Sequence, residues 1–480
     1  MQAPTLAQVT ADIRKASRSV YHRLHSIAGD ASFVAELADL FPALPVIANE
    51  RCGSWYTPPA KVAAKAYFKS TDGHHGEWCF SLRRANLHIL PLICERGGCL
   101  VVDSTRGGKR MPDALSKTVP IWCATLNQAV FADRLKKDNR DGEADATLAE
   151  HCALHTLPSM VSRSEHEQIS ARVPSFVQKL QRAGVEMDRL RRLLQKPLRP
   201  IWLTPASRLF IDNPPTYDDA PFIPVICVTA SEAVAGGVTA RTTGYMYIQG
   251  AADDAEAWSR GLTADLFWQH YSALLTASES DCARLVADAV RLRTTGDEDT
   301  DGTRLSSHSL YNFIGDTNVA IGGRRSRPPE CWDNFDVIIN CCELEYEANR
   351  DEKLRGRYLF LNIPEGKKGQ NRLLATLPLA LQFAEAPMRE HKRILVHCAK
   401  GQDRSVGVAL ALLVRHLDGA TGAISNDLAP SDCAPAHAAD IDKTTIQHRL
   451  LYIAQYRPQA SPSRATINKV NSVFLSPSHM

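Results

Sequence analysis

Apolar residues recur at three- and four-residue spacing through residues 5–40, which predicts two helices there. The strand-like stretch LPVIANERCGSWY (44–56) follows, then a strand at YFKST (67–71), a helix near 84–96 and a strand at CLVVDS (99–104). KKDNRDGEADA at 136–146 has almost no apolar side chain and reads as a surface loop. Helical spacing resumes at 164–182 and 187–195. Short β-type runs at 199–205, 222–230 and 244–250 lead to a helix over 262–275.

The acidic stretch TTGDEDTDGT (294–303) lacks any apolar anchor and is read as a linker between domains at 1–293 and 304–480. Beyond it strands at 319–323, 335–342 and 358–364 are followed by a helix at 372–391, a strand at 393–399 and a helix at 404–417. That alternation predicts an α/β fold, its mainly parallel sheet covered by helices, after an N-terminal α/β domain. Residues 418–442, rich in Ala, Asp, Pro, Gly and Ser, read as an excursion before a last helix at 443–456.

A chain of 480 residues exceeds one ordinary core, and 44% apolar with 23% charged residues is a globular composition. The formal net charge of +3 means that a nucleic-acid surface must come from local clusters of Lys and Arg. No apolar run reaches membrane-spanning length, and the amphipathic N-terminus has no signal-peptide core. The 13 cysteines are scattered without a CxxC pair, which suits reduced thiols in a cytoplasmic protein.

The most specific motif is HCAKGQDRS, comprising His397, Cys398, Ala399, Lys400, Gly401, Gln402, Asp403, Arg404 and Ser405. A strand precedes it and a helix follows, so loop N–H groups and the helix start converge on an anion. Arg404 adds a fork for two phosphate oxygens, and the same field favours a Cys398 thiolate. Over 304–460 the sequence resembles dual-specificity phosphatases, with a departure. Such enzymes carry a general-acid Asp shortly after the IP that ends the preceding strand. Here NIPEGKKGQNR puts Gly366, Lys367 and Lys368 there, and Glu365 comes too early. Loss of a general acid costs about 10²–10⁴-fold in rate and leaves phosphate affinity intact. Lys367, Lys368, Lys400 and Arg404 form a basic set suited to a nucleic-acid backbone or a phosphorylated sugar.

The N-terminal half carries two strand-ending turns of one type. The first is Lys69, Ser70, Thr71, Asp72, Gly73 and His74. The second is Asp103, Ser104, Thr105, Arg106 and Gly107, with Lys109, Arg110 and Lys117 behind it. Hydroxyls and open backbone N–H groups beside glycine suit a phosphate, and the alternative is two ordinary turns. SRSEHEQI (162–169) reads as a helix capping box or as a polar cluster with Arg163 and His166. Asp253 and Asp254 follow a strand and suit either magnesium or a helix N-cap.

Taken together, NERCGSWY (49–56), YFKSTDGHHGEWCFSLRRANLH (67–88), GGCLVVDSTRGGKRMPDALSKTVPIW (97–122), VSRSEHEQI (161–169), KPLRPIWLTP (196–205), YIQGAADDAEAW (247–258) and HCAKGQDRSVGVALALL (397–413) resemble the initiator tRNA phosphoribosyltransferase family of fungi and plants. One departure is Gly108, where many members are expected to have a second Arg. The resemblance implies transfer of a ribosyl phosphate from phosphoribosyl pyrophosphate to the 2′-hydroxyl of adenosine 64 in initiator methionine tRNA. It implies Mg²⁺ on the donor pyrophosphate, with Asp253 and Asp254 as the candidate ligands, and the sequence makes no membrane or protein partner evident. On that reading the two turns bind the donor, and Asp72, Asp103 or Asp254 is the base or metal ligand. Arg163, His166, Lys367 and Lys368 touch tRNA, and Cys398 and Arg404 grip a phosphate of donor or tRNA. Two other readings remain open: an active cysteine phosphatase acting on RNA or nucleotides, and a tRNA-binding protein without catalysis.

Overall fold

The computed structural model describes residues 18–71, 74, 76–137, 143–183, 185–207, 211–295, 310–326, 330–345, 354, 356–417, 441–457 and 459–475. Asp72, Gly73, residues 296–303 of the expected linker and residues 418–440 of the expected 418–442 excursion lie outside the described residues. Contacts divide the chain into two units, residues 1–80, 89–179 and 186–303, and residues 81–88, 180–185 and 304–480.

The first unit is built on a five-stranded parallel sheet of order β2-β1-β3-β5-β4. Its strands are β1 (Val46–Asn49), β2 (Val62–Ala66), β3 (Cys99–Asp103), β4 (Leu198–Leu203) and β5 (Ile223–Thr229). β3 and β5 are buried at every position, as their unbroken apolar runs require of strands covered on both faces. A hairpin, β6 (Val238–Ala240) and β7 (Met246–Ile248), follows. Helix α1 (Val20–Leu40) packs Leu24, Ile27, Val34 and Leu37 into the core. The short helix α2 (Gly53–Tyr56) lies so close to β3 that a Cβ on Gly53 would overlap the Val102 carbonyl. From β1 the chain passes to β2 on one side and then to β3 on the other, so the order reverses between β1 and β3. Such a reversal opens a crevice at the carboxyl ends of the two strands.

Several expectations need correction. The strand expected at 67–71 lies at β2, five residues earlier, where it pairs Val46 with Val62. Phe68 is buried instead by packing edge-on to Trp122, 5.5 Å between rings. The loop expected at 136–146 is helical from Glu143, and the 262–275 helix breaks at His270 into Ala264–Gln269 and Tyr271–Thr276. Helix Glu279–Thr295 runs into the first two residues of the expected linker.

The second unit has the sheet order β11-β10-β12-β9-β8, parallel except for the β8–β9 pair. Its strands are β8 (Tyr311–Phe313), β9 (Val319–Gly322), β10 (Val337–Asn340), β11 (Tyr358–Phe360) and β12 (Ile394–His397). Helices α3 (Lys367–Arg389), α4 (Arg404–His416), α5 (Lys443–Tyr456) and the unforeseen α6 (Arg464–Leu475) belong to the same unit. α4 is apolar around most of its circumference, with twelve of its residues buried, so it forms the centre of the core. The α/β class read from the alternation is therefore the observed one. No described helix is long and apolar enough to cross a membrane.

Candidate active site and phosphate loop

In the first unit the chemistry gathers where β1 and β3 end. Asp103, last in β3, is completely buried. Its Oδ2 accepts from Asn49 Nδ2 at 2.9 Å and Arg51 Nε at 3.2 Å, and its Oδ1 accepts from the Cys52 thiol at 2.9 Å. Arg51 also donates through Nη1 to Asp253 Oδ1 at 2.8 Å and through Nη2 to the Ser104 carbonyl. One guanidinium thus ties together the ends of β1 and β3 and the loop after β7. Burial alone would lower the Arg51 pKa, but the charges of Asp103, Cys52 and Asp253 raise it above its ordinary value. Burial, with Asp103 beside it, pushes the Cys52 thiol well up, so it stays protonated and donates.

Beyond Asp103 the turn is held rigidly. Ser104 shares a 2.8 Å hydrogen bond with Ser231 at the end of β5, and the Ser231 hydroxyl donates to the Thr105 carbonyl at 3.2 Å. Gln249 Nε2 donates to the Lys109 carbonyl at 2.6 Å. Gly250, at φ 65°, touches the turn so closely that a Cβ would overlap the Thr105 carbonyl. Gly107 and Gly237 meet backbone to backbone, where a Cβ on Gly107 would stand 2.8 Å from the Gly237 Cα. Gly108 has φ 87°, a backbone that glycine takes freely and arginine does not.

This rigid turn presents Arg106 and Arg110, exposed and without side-chain partners among the described residues. Lys109 ion-pairs with Asp113 at 3.2 Å, and Asp113 also accepts from Thr71 at 2.8 Å, which links the two Ser-Thr turns. Ser70 is buried, whereas Lys69 and His74 are exposed. Lys117 is committed elsewhere. It is 13% exposed and pairs at 2.7 Å with Glu165, which also accepts from Trp78 Nε1, so it offers no free charge to a donor. Ser162 caps its helix through the Glu165 N–H, Arg163 pairs with Glu167 on the surface, and His166 Nδ1 bonds Thr156 at 2.7 Å.

Asp103 likewise departs from the expected catalytic role, because donors occupy both oxygens and no solvent reaches it. Asp254, at φ 50°, sits at the start of helix Ala255–Trp258 without a side-chain capping bond, and is exposed beside Asp253. Among the described residues no three carboxylate, His or Cys groups are arranged to hold a metal by themselves. Two neighbouring carboxylates completed by substrate phosphates and water fit magnesium.

Sequence reasoning missed Arg51, Asn49, Cys52, Asp113 and Ser231. Asn49, Arg51 and Cys52 stand in the recognised NERCGSWY segment, and an arginine two residues beyond a buried strand was the available signal.

In the second unit HCAKGQDRS closes around the Cys398 sulfur, which accepts from the Gly401 N–H at 3.2 Å and the Ser405 hydroxyl at 3.1 Å. Burial would raise the Cys398 pKa, but Ser405, the Arg404 charge and the Gly401 N–H lower it below the ordinary thiol value. Gly401 has φ 66°, and a Cβ there would overlap Arg457. Arg457, 2% exposed, supports the loop by donating to the Gly401 carbonyl at 2.8 Å and to Asn312 at 2.7 Å. Arg404 donates to the Ile363 carbonyl and to Glu365 Oε1, each at 2.7 Å. His397 is buried and held neutral, its pKa lowered to about 4. Lys400, Gln402 and Lys368 are exposed, Ala399 and Asp403 half-buried. The side chain of Lys367 lies outside the described residues.

Family models described as the Rit1 N-terminal domain and the Rit1 DUSP-like domain match residues 13–291 and 357–474. The chain is 32% identical over 510 residues to the Saccharomyces cerevisiae tRNA A64-2′-O-ribosylphosphate transferase, covering 98% of this chain and 95% of that protein. The chain belongs to the Rit1 family. A second relative, an uncharacterized protein of Schizosaccharomyces pombe, is 35% identical over 466 residues, covering 96% of this chain and 95% of that one. Among solved structures, human DUSP28 covers 35% of this chain and 94% of its own at 16% identity, with a TM-score of 0.25.

Proposed function

We propose that this Rit1-family chain transfers a ribosyl phosphate from phosphoribosyl pyrophosphate to the 2′-hydroxyl of adenosine 64 in initiator methionine tRNA, and so keeps that tRNA out of elongation. The observation that carries the reading is the turn after β3, held by Arg51, Ser231 and Gln249 at a sheet reversal, in a chain that aligns end to end with a transferase of that name. The reaction makes a bond from the 2′-oxygen to ribose C1, releases pyrophosphate and frees one proton. Positioning and charge stabilisation dominate such a transfer.

Thr105, Arg106, Lys109 and Arg110 bind the phosphates of the donor, and Ser70, Thr71 and Lys69 complete that cradle through the Thr71–Asp113–Lys109 link. Asp103 positions the turn and does not take the proton. Magnesium, when bound, offsets charge on the pyrophosphate, and Asp253 and Asp254 would hold it. Asp254 is exposed, and it serves either as that ligand or, with Asp253 alone holding the metal, as the base for the 2′-hydroxyl. Exposed Arg163, with Lys368 and Lys400, suits tRNA phosphates.

The test is transfer of label from phosphoribosyl pyrophosphate, labelled in its 5-phosphate, onto initiator tRNA. Label on the tRNA that disappears in Arg106→Ala/Arg110→Ala supports the reading. No label on tRNA with folded wild-type protein refutes it.

A further inference from the structure

The phosphate loop of the second unit holds its principal cation in an unusual state. Both observed donors of Arg404 are engaged, Nη1 with the Ile363 carbonyl and Nη2 with Glu365. The guanidinium is 9% exposed, whereas the Glu365 side chain is 63% exposed. Glu365 is therefore a carboxylate at the mouth of the cradle, facing inward onto the arginine that would receive a phosphate. Its own N–H is fixed by Glu343 Oε1 at 3.2 Å, so the segment is tied in that position.

A second negative group lies deeper, the Cys398 sulfur, stabilised as thiolate by Ser405 and Gly401. Arg457 is bound beneath the loop and balances that charge from behind. Arg324 flanks the loop through its backbone N–H on the Ala399 carbonyl at 3.0 Å. The inner cradle thus carries two carboxylate or thiolate charges against Arg404 and Arg457. Arg325, next to Arg324, Lys368, three residues after Glu365, and Lys400, within the loop, are by contrast exposed.

A phosphate monoester brings about two negative charges to such a cradle, and a phosphodiester brings one. The additional charge lies near Glu365, which Arg404 holds at 2.7 Å. A like charge about 6 Å away, at an effective dielectric between protein and water, weakens binding by about tenfold. The rim cations suit the neighbouring phosphates of a chain, which a small ester lacks.

We propose that Glu365 is a selectivity residue that bars doubly charged phosphates from this loop and leaves it to the singly charged diester links of an RNA backbone. The loop then grips tRNA, and the donor with its dianionic phosphate is bound elsewhere. The assignment rests on the proposed tRNA modification only for the identity of the RNA. It also gives an independent reason to expect weak phosphatase turnover: the ordinary monoester substrate is repelled before any general acid is needed.

The test reads occupancy of the loop by protection of Cys398. The full-length protein is alkylated with iodoacetamide, and Cys398 modification is followed by peptide mass spectrometry. Phenyl phosphate and the trinucleotide UpUpU without terminal phosphates serve as probes. In the wild type UpUpU slows Cys398 alkylation, and phenyl phosphate requires at least about tenfold higher concentration for the same effect. In Glu365→Gln both probes protect at lower concentration, and phenyl phosphate gains about tenfold more than UpUpU because it meets the site with one further negative charge. Glu365 is exposed, so this substitution leaves the fold intact, which a melting curve checks. Equal protection by phenyl phosphate in wild type and Glu365→Gln overturns the proposal, as does failure of UpUpU to protect. Label transfer to tRNA is measured on the same wild-type preparation. Transfer without the protection pattern defeats this assignment alone, and the pattern without transfer defeats the proposed function alone.

Discussion

Replacing Arg51 by Met removes the clasp between β1, β3 and the loop after β7 while keeping most of the side-chain volume. Two ion pairs at 3.2 and 2.8 Å and the bond to the Ser104 carbonyl are lost. Asp103, fully buried, keeps only Asn49 and Cys52. Removing one partner of a fully buried pair costs about 3–5 kcal/mol. Arg51 and Asp253 are each about one-fifth exposed, so the lower end applies, about 3 kcal/mol. For a unit of this size that is a fall of roughly 6–10 °C in its melting temperature. The turn carrying Arg106 and Lys109 loses an anchor, and a misplacement of about 1 Å costs on the order of 10²-fold in transfer rate. Denaturant melts and single-turnover transfer to tRNA measure the two effects. Adding Asp103→Asn to Arg51→Met removes the uncompensated charge and should recover at least about 1 kcal/mol of stability without recovering transfer. A loss below about 0.5 kcal/mol, or transfer within about threefold of wild type, refutes the clasp.

Gly250→Ala forces a Cβ into the Thr105 carbonyl at a left-handed backbone position, so it should destabilise the first unit and cut transfer, and an unchanged rate contradicts the packing described. Cys398→Ser should keep most transfer activity, because the loop grips a phosphate rather than attacking it. A complete loss shows that the sulfur does chemistry. The lowered Cys398 pKa places the midpoint of its alkylation rate below the ordinary thiol value of 9.0, with the rate falling only below that midpoint, and a midpoint at or above 9.0 contradicts it. His397 and His416 are buried, and burial lowers both to about 4 in the folded state. The unfolded chain binds these protons from about pH 6.5 downward, so stability is full above that pH and is lost as pH falls to about 4, by on the order of 3 kcal/mol per histidine. Both ring nitrogens of His416 lack hydrogen-bond partners among the described residues, so His416→Leu should flatten that slope in urea melts across pH 4–7.

The phosphate loop was legible because its parts are contiguous: a buried strand ending at His397, the six loop residues 398–403 and a helix that starts at Arg404. The missing acid after the IP was equally local. The pairing of Glu365 with Arg404 was not legible, since it spans 39 residues and only the fold brings them together. The same holds for Arg51, which meets Asp103 across 52 residues and Asp253 across 202. Lys117 shows the converse error. A lysine near a phosphate turn reads as an anion ligand until the helix carrying Glu165 is placed against it. Strand β2 was misplaced because VAAKA has mostly small, half-buried residues, whereas the aromatic pair in YFKST mimics a strand although Phe68 is buried by a helix side chain, Trp122.

The central claim is that the chain adds a phosphorylated sugar to one nucleotide. Initiator tRNA incubated with the protein, magnesium and phosphoribosyl pyrophosphate, then cut by ribonuclease and weighed, tests it most directly. The account predicts a mass gain of one ribosyl phosphate on the T-stem fragment that contains adenosine 64, and only when the donor is present. An unmodified fragment in the presence of folded protein and donor contradicts it.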